Sequence, residues 1–278
     1  MNDTKKKIEE KLAPGAFLGA IVGDIAGSVY EWDNIKTKKF PLFSPKCFPT
    51  DDSIMTLAIA KALLECNGSY VKLSQKAIDN MRLLGALYPH AGYGGRFSSW
   101  LKALEPKPYN SFGNGSAMRV SAVAYVADSI EQVKELSYKV TAVTHNHIEG
   151  IKGAEATAVA VYMALQGSSM QEIKDIVIKD YYPMDFTLDE IKDTYRFNET
   201  CQNTVPQALE AFFESTGFED AIRNAISIGG DSDTLAAITG AVAGAYYGVP
   251  EEIKMRALSF LDNTQKDIYL SFVNDFSQ

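Results

Sequence analysis

Apolar residues recur along most of this chain at helical spacing, as in Ile54, Leu57, Ala58, Ala60, Leu63 and Leu64, while sustained apolar/polar alternation is hard to find. The first pattern lines one face of a helix and the second one face of a strand, so a mainly α protein is predicted. The spacing places helices over 13–28, 51–66, 71–87, 95–104, 116–127, 130–143, 148–166, 170–180, 204–215, 218–226, 232–247, 250–261 and 264–276. Between them, Tyr181 to Thr200 carries Pro183, two aromatic pairs and mixed charge, and reads as an irregular excursion holding one short helix. Helix 232–247 has Gly240 and Gly244 four residues apart among Ala236, Ala237, Ala241, Ala243 and Ala245. Glycine inside a helix costs about 1 kcal/mol relative to alanine, so two of them predict a crowded central helix, with its N-terminal Asp231 and Asp233 deep in the fold. The small-residue helices 13–28 and 148–166 suit the same crowded centre.

Composition narrows this picture. A chain of 278 residues exceeds the usual domain size, yet no Ser/Gly/Pro-rich tract and no like-charge run beyond Lys5-Lys6-Lys7 suggests a linker, so residues 1–278 are expected to form one domain. The net charge of -8 speaks against nucleic acid as the main partner, because that binding needs clustered cations. It leaves room for a phosphorylated ligand held by helix N-termini and divalent ions. Cys47, Cys66 and Cys201 make an odd, widely spaced set with neither disulfide-framework nor zinc-site spacing, which fits a reducing, cytoplasmic setting. Lys5-Lys6-Lys7 before the apolar stretch 16–22 imitates a signal peptide, but Glu9, Glu10 and Asp24 spoil the likeness, and no uncharged apolar run reaches the ~18 residues of a membrane span.

Candidate chemistry concentrates in two acidic clusters about 180 residues apart, Thr50-Asp51-Asp52-Ser53 and Gly229-Gly230-Asp231-Ser232-Asp233-Thr234, each directly before an apolar helix. Aspartate, serine and threonine at such places are first of all N-caps. Capping does not need a second adjacent carboxylate, which raises the desolvation cost of the first; a divalent cation resolves that tension. Oxygen ligands without histidine or cysteine point to Mg²⁺ or Mn²⁺, with Ca²⁺ a further option, rather than structural zinc. An EF-hand fits poorly, because the third oxygen ligand and the loop glycine are missing. Glu31, after a nearly uncharged helix, reads either as a solvated helix end or as a group that acts on a water. Asp24 sits mid-helix among apolar residues and needs a partner if buried. Ser111-Phe112-Gly113-Asn114-Gly115-Ser116-Ala117-Met118-Arg119 reads as a turn capped by Ser116, or as a cradle for phosphate or ribose oxygens with Phe112 free to pack on a ring. His145 and His147 are two apart rather than four, which argues against a shared metal; either could cap a helix or meet a ligand.

Taken in order, the Gly23-Asp24 to Glu31 helix, the Thr50-Asp51-Asp52-Ser53 cluster, the Gly113 to Arg119 loop, and Gly229 to Thr234 followed by Gly240 to Gly248 resemble the ADP-ribosylglycohydrolase family. That family includes the dinitrogenase reductase-activating glycohydrolases and the ADP-ribosyl-acceptor hydrolases. Thr144-His145 and Val205-Pro206-Gln207-Ala208-Leu209 add support, and the likeness spans residues 14–255. The resemblance implies a compact, single-domain, all-α orthogonal helical bundle with two divalent ions, Mg²⁺ or Mn²⁺, at the base of an ADP-ribose cleft. It implies metal ligation by Thr50, Asp51, Asp52, Asp231, Asp233 and Thr234, with Glu31 beside the metals and the scissile bond. Phe112, Gly113, Asn114, Gly115 and His145 are implied to contact ADP-ribose. Ser53 departs from a frequent threonine but keeps the hydroxyl.

The reaction so implied is hydrolysis at the anomeric carbon of ADP-ribose attached to an acceptor, arginine-linked protein being favoured, with Glu31 orienting or deprotonating a water or assisting the leaving group. Residues 33–49 and 88–111 are the candidate acceptor loops. Two rivals remain: a non-catalytic ADP-ribose binder or toxin-immunity protein, against which the intact acidic set argues, and a metal-dependent nucleotide phosphoesterase.

Overall fold

A computed structural model describes residues 15–276, and their regular structure is helical, with one isolated antiparallel bridge between Gly113 and Thr200. The centre is an antiparallel pair, α1 (Gly15–Gly27) and α11 (Ser232–Tyr247). Every residue of α1 and every residue of α11 through Ala245 is buried, which explains why neither shows a polar face. Glycines at four-residue intervals make the pair possible. A Cβ on Gly19 would overlap the Gly240 carbonyl and one on Gly15 the Gly244 carbonyl, while Gly27 lies directly on the Asp233 backbone. The crowding inferred from Gly240 and Gly244 is therefore between two backbones, and it brings the end of α1 to the start of α11.

Around this pair stand α2 (Asp51–Leu64), α6 (Ile148–Leu165), α9 (Val205–Phe213) and α10 (Phe218–Ser227), and α3 (Leu73–Leu87), α5 (Ile130–Thr141) and α7 (Met170–Asp180) pack outside them. Two-turn helices α4 (Gly95–Lys102) and α12 (Glu251–Leu258), the single turn α8 (Leu188–Ile191) and the closing helix α13 (Asn263–Phe276) complete the chain. Helix α13 lays Tyr269 and Phe272 on Phe17 of α1, at 5.8 and 4.8 Å between ring centroids.

The predicted helices form with ends shifted by a few residues, except one. The start of 13–28 lies outside the described residues. Residues 116–127 are not an α-helix: 3₁₀ turns at Asn114–Ser116 and Ser121–Tyr125 replace it. Tertiary bonds take the groups that a helix would use. Ser116 donates to the Gly150 carbonyl at 2.8 Å instead of capping, Thr56 donates to the Met118 carbonyl, and the Tyr125 hydroxyl receives the first amide bond of α1 from Ala16 at 2.7 Å. The irregular excursion 181–200 does hold one short helix, α8, fixed by a Thr187/Glu190 capping box. All three cysteines are free and buried, and among the described residues no helix is long and apolar enough to cross a membrane.

Candidate active site

The end of α1, the start of α2 and the start of α11 meet at the floor of a cleft of about 450 Å³, within the range of small-molecule sites. Asp24 organises the first half. Buried in the last turns of α1, it accepts from the Thr50 amide at 2.9 Å and the Ser53 amide at 3.0 Å, and from the hydroxyls of Thr50 and Ser53. Its carboxylate thus satisfies the open N-terminus of α2. This role leaves Asp51 and Asp52 free of capping duty. Thr50, whose hydroxyl donates to Asp24, sits behind the floor and does not line the cleft.

The second half depends on two successive glycines with positive φ, Gly229 at +67° and Gly230 at +81°. They turn the chain inward at the end of α10, and the Tyr195 ring occupies the space that a Cβ on Gly230 would need. Asn34, which sequence reasoning overlooked, locks this turn. Its amide donates to the carbonyls of Tyr30, Glu31 and Gly230 and accepts from the Gly230 amide at 2.7 Å, so one side chain joins the Glu31 segment to the Asp231 turn. Lys36 adds a bond to the Ile228 carbonyl. No motif marks Asn34; its lone polar amide in a loop resembles any turn residue.

Two carboxylate triads result, Asp24/Asp52/Asp233 and Glu31/Asp231/Asp233, each with its oxygens within 4.8 Å of one another and both sharing Asp233. Asp51 lines the same floor. Thr234 bridges the halves by donating to Asp52 Oδ2 at 3.1 Å. Asp52 Oδ1 is buried without a hydrogen-bond partner. Two ionised carboxylates 4.8 Å apart repel by about 3 kcal/mol at an effective dielectric near 20. Burial first, and the neighbouring charges after it, therefore push every member upward: Asp51, Asp52 and Asp233 well above the usual range, Asp231 to about 6 and Glu31 to about 7. Burial also raises Asp24 to about 6, against the pull of its four hydrogen bonds. An orphaned carboxylate oxygen inside an all-oxygen, strongly anionic floor fits hard divalent cations.

The cleft wall is the 113–115 loop. Asn114 is buried and donates to Asp231 Oδ2 at 2.7 Å and to Thr204 at 3.2 Å, so its side chain supports an acidic residue instead of facing outward. Gly113 and Gly115 line the cleft with His145 Nε2 close by, 3.6–3.7 Å from where their Cβ atoms would lie. The buried Arg119 guanidinium donates to Thr144 Oγ1 at 2.7 Å, and that hydroxyl pairs with His145 Nδ1 at 2.7 Å. The same hydroxyl also reaches the Thr141 carbonyl at 3.4 Å, so the ring is fixed through Nδ1 and its Nε2 edge faces the loop. Burial and the Arg119 charge hold the imidazole well below its usual pKa, so it is neutral. His147 caps α6 by accepting from the Glu149 amide. Phe112 packs 5.1 Å from His147 and does not line the cleft.

Of the expected acceptor loops, 88–111 supplies Gly92 to Phe97, Tyr109 and Ser111, whereas 33–49 supplies nothing to the cleft. Arg223 holds that loop against α10 through the Lys38 and Phe40 carbonyls. Trp32, Phe197 and Glu199 line the rim instead.

The family model described as ADP-ribosylglycohydrolase matches residues 4–275. The chain belongs to the ADP-ribosylglycohydrolase family. It is accordingly a glycohydrolase enzyme, and its relatives carry consistent names. It is 26% identical to the human ADP-ribosylhydrolase ARH3 over 85% of each chain, and 24% identical to the mouse protein over 85% of this chain and 84% of that one. An ADP-ribosylarginine hydrolase of Pseudomonas putida is 27% identical, over 85% of this chain and 71% of its own. Among solved structures, a chain of an ADP-ribosylglycohydrolase-related protein complex superposes with a TM-score of 0.71 at 24% identity, covering 98% of this enzyme and 100% of that chain. This last likeness concerns the fold.

Proposed function

We propose that the enzyme removes ADP-ribose from a modified acceptor, arginine-linked protein being favoured, in a reaction that depends on two divalent ions, Mg²⁺ or Mn²⁺. The observation that carries this reading is the meeting of two acidic triads on Asp233 beside an orphaned Asp52 oxygen at the cleft floor. The ions would be held by Asp51, Asp52, Asp231 and Asp233, with the Thr234 hydroxyl at the edge, while Thr50, its hydroxyl engaged with Asp24, would support the site from behind. When bound they supply Lewis-acid polarisation and a readily deprotonated water. The name of the Pseudomonas putida relative supports the arginine linkage.

The chain's own residues then account for the rest. Glu31 is half-buried beside Asp231 and Asp233 and is the carboxylate of that triad which the ions would leave free to act on a proton. It stands where a carboxylate can take a proton from the attacking water or deliver one to the departing atom. The water oxygen forms a bond to the anomeric carbon, the bond from that carbon to the acceptor nitrogen breaks, and the proton ends on the acceptor. Asn114 holds Asp231 in place, and the neutral His145 presents its Nε2 edge to a ligand along the 113–115 loop.

The test measures free ADP-ribose released from ADP-ribosylarginine and ADP-ribosylserine proteins, with Mg²⁺, Mn²⁺ or chelator, by wild type and by Asp231→Ala/Asp233→Ala. Metal-dependent release lost in the double variant is expected; AMP as product, or bound and unchanged ligand, overturns the reading. Glu31→Gln with confirmed metal occupancy is expected to lose at least ~100-fold in kcat, the usual scale of acid–base assistance, and a near-normal rate removes Glu31 from the chemistry.

A further inference from the structure

The cleft rim beside Glu31 carries a group of side chains that neither the metal floor nor the 113–115 loop explains. Trp32 follows Glu31 directly and is 79% exposed, the most exposed aromatic among the described residues. It stacks on Phe197, 37% exposed, at 5.0 Å between centroids and 23° between planes. Glu199 lies on the same rim. Among the described residues, neither Glu31 nor Glu199 has a cation within ion-pair distance.

The segment that carries Phe197 and Glu199 is held on both sides of them. The Glu199 carbonyl accepts from the Asn114 amide at 2.7 Å, the adjacent Thr200 bridges to Gly113, and the Tyr195 hydroxyl donates to the Asn203 carbonyl at 2.6 Å. The otherwise unexplained excursion 181–200 thus delivers Phe197 and Glu199 to the cleft on a fixed segment. The outer face of this stacked pair, flanked by carboxylates without a counter-cation, attracts a flat cation, because the ring face is electron-rich and a planar guanidinium can stack and donate to oxygen at once. The same surroundings repel a diphosphate.

We propose that Trp32, Phe197 and Glu199 form the acceptor subsite and that it takes the guanidinium of an arginine side chain. This rests on the reaction proposed above, since Glu31 is where the bond to the acceptor breaks. The subsite gives that reaction its selectivity: an arginine acceptor is gripped by stacking and charge, whereas a hydroxyl acceptor such as serine offers neither a flat face nor a positive charge to it.

The experiment compares wild type with Trp32→Ala, Phe197→Ala and Glu199→Gln, all metal-saturated, on ADP-ribosylarginine and ADP-ribosylserine peptides, and measures free ADP-ribose affinity by calorimetry. The rim is solvent-exposed, so these changes leave the core untouched. Each variant is expected to raise KM for the arginine peptide about 5- to 30-fold relative to the serine peptide, with ADP-ribose affinity within about twofold of wild type. Equal effects on both peptides, no effect, or parallel loss of ADP-ribose affinity overturns the subsite. A second readout separates its failure from that of the reaction. With ADP-ribose bound, methylguanidinium titrated into wild type is expected to change Trp32 emission saturably, and Trp32→Phe to abolish the change, the other tryptophan, Trp100, being buried. If wild type releases no ADP-ribose from arginine, the reaction is wrong, and this titration alone decides the subsite: saturable binding supports it and absence of binding overturns it.

Discussion

Replacing Asp52 by Asn should stabilise the ion-free enzyme above neutral pH, even though it damages the site. Asp52 is 2% exposed, with Asp24 and Asp233 oxygens within 4.8 Å. With all three ionised, each of these contacts costs about 3 kcal/mol. The cluster escapes part of that by staying protonated. Burial and the neighbouring charges hold Asp52 well above the usual carboxylate range, and at pH 8 protonation relieves the repulsion only in part. Asparagine removes the charge and can still accept from Thr234, so the gain should be about 2–3 kcal/mol at pH 8, or roughly 3–5 °C in Tm for a chain of 278 residues. The sign follows from proton linkage. These carboxyls titrate near 4 when unfolded and at about 6 to 7 or higher when folded, so the native state binds more protons. The contribution of this ion-free cluster to stability is full below about pH 4 and is lost as pH rises through 6 and 7. The Asn advantage should accordingly vanish near pH 4. Thermal denaturation in chelator across pH 4–8 is the assay. At Mg²⁺ about 1,000 times Kd the order should invert, because ligand at that level adds about 4.1 kcal/mol to wild type alone. A variant less stable than wild type in chelator at pH 8, or a gain independent of pH, refutes the account of the floor as a repulsive cluster awaiting cations.

Gly19→Ala places a methyl in the Gly240 carbonyl, and overpacking of this kind typically costs about 1–3 kcal/mol; a Tm unchanged within 1 °C in circular dichroism would mean that the two helices are not in backbone contact. Asn114→Ala frees Asp231 Oδ2 and should weaken metal affinity by about 10- to 100-fold, measured by calorimetry with Mn²⁺, since removing a partner that orients a ligand has that scale. Asn34→Ala cuts the link between the Glu31 segment and the Gly230 turn. It should lower kcat more than it raises KM, and an effect confined to Tm would make Asn34 a purely structural tie.

Much was legible in the chain itself. The 3.6-residue periodicity identified the helical class and every long helix, and added one, 116–127, that does not form, because that pattern is local and can be read without tertiary partners. Gly240 and Gly244 announced a crowded α11, and the doubled aspartates announced a cluster that capping alone did not need. What the chain could not reveal depends on distant partners. The 116–127 segment has a helical pattern, yet Gly150, Thr56 and Ala16 claim its polar groups. Asp24 was recognised only as a buried charge in need of a partner, and the fold shows it capping α2 from a neighbouring helix. Asn34, Trp32, Phe197 and Glu199 carry no motif; they share a site only because the 30–40 loop and the 181–200 excursion are pinned against α10 and the 113–115 loop. Residue spacing along one helix is set by backbone geometry and can be read in sequence. Which oxygen faces which across 180 residues is set by the glycine contact of α1 with α11, and only folding makes that contact.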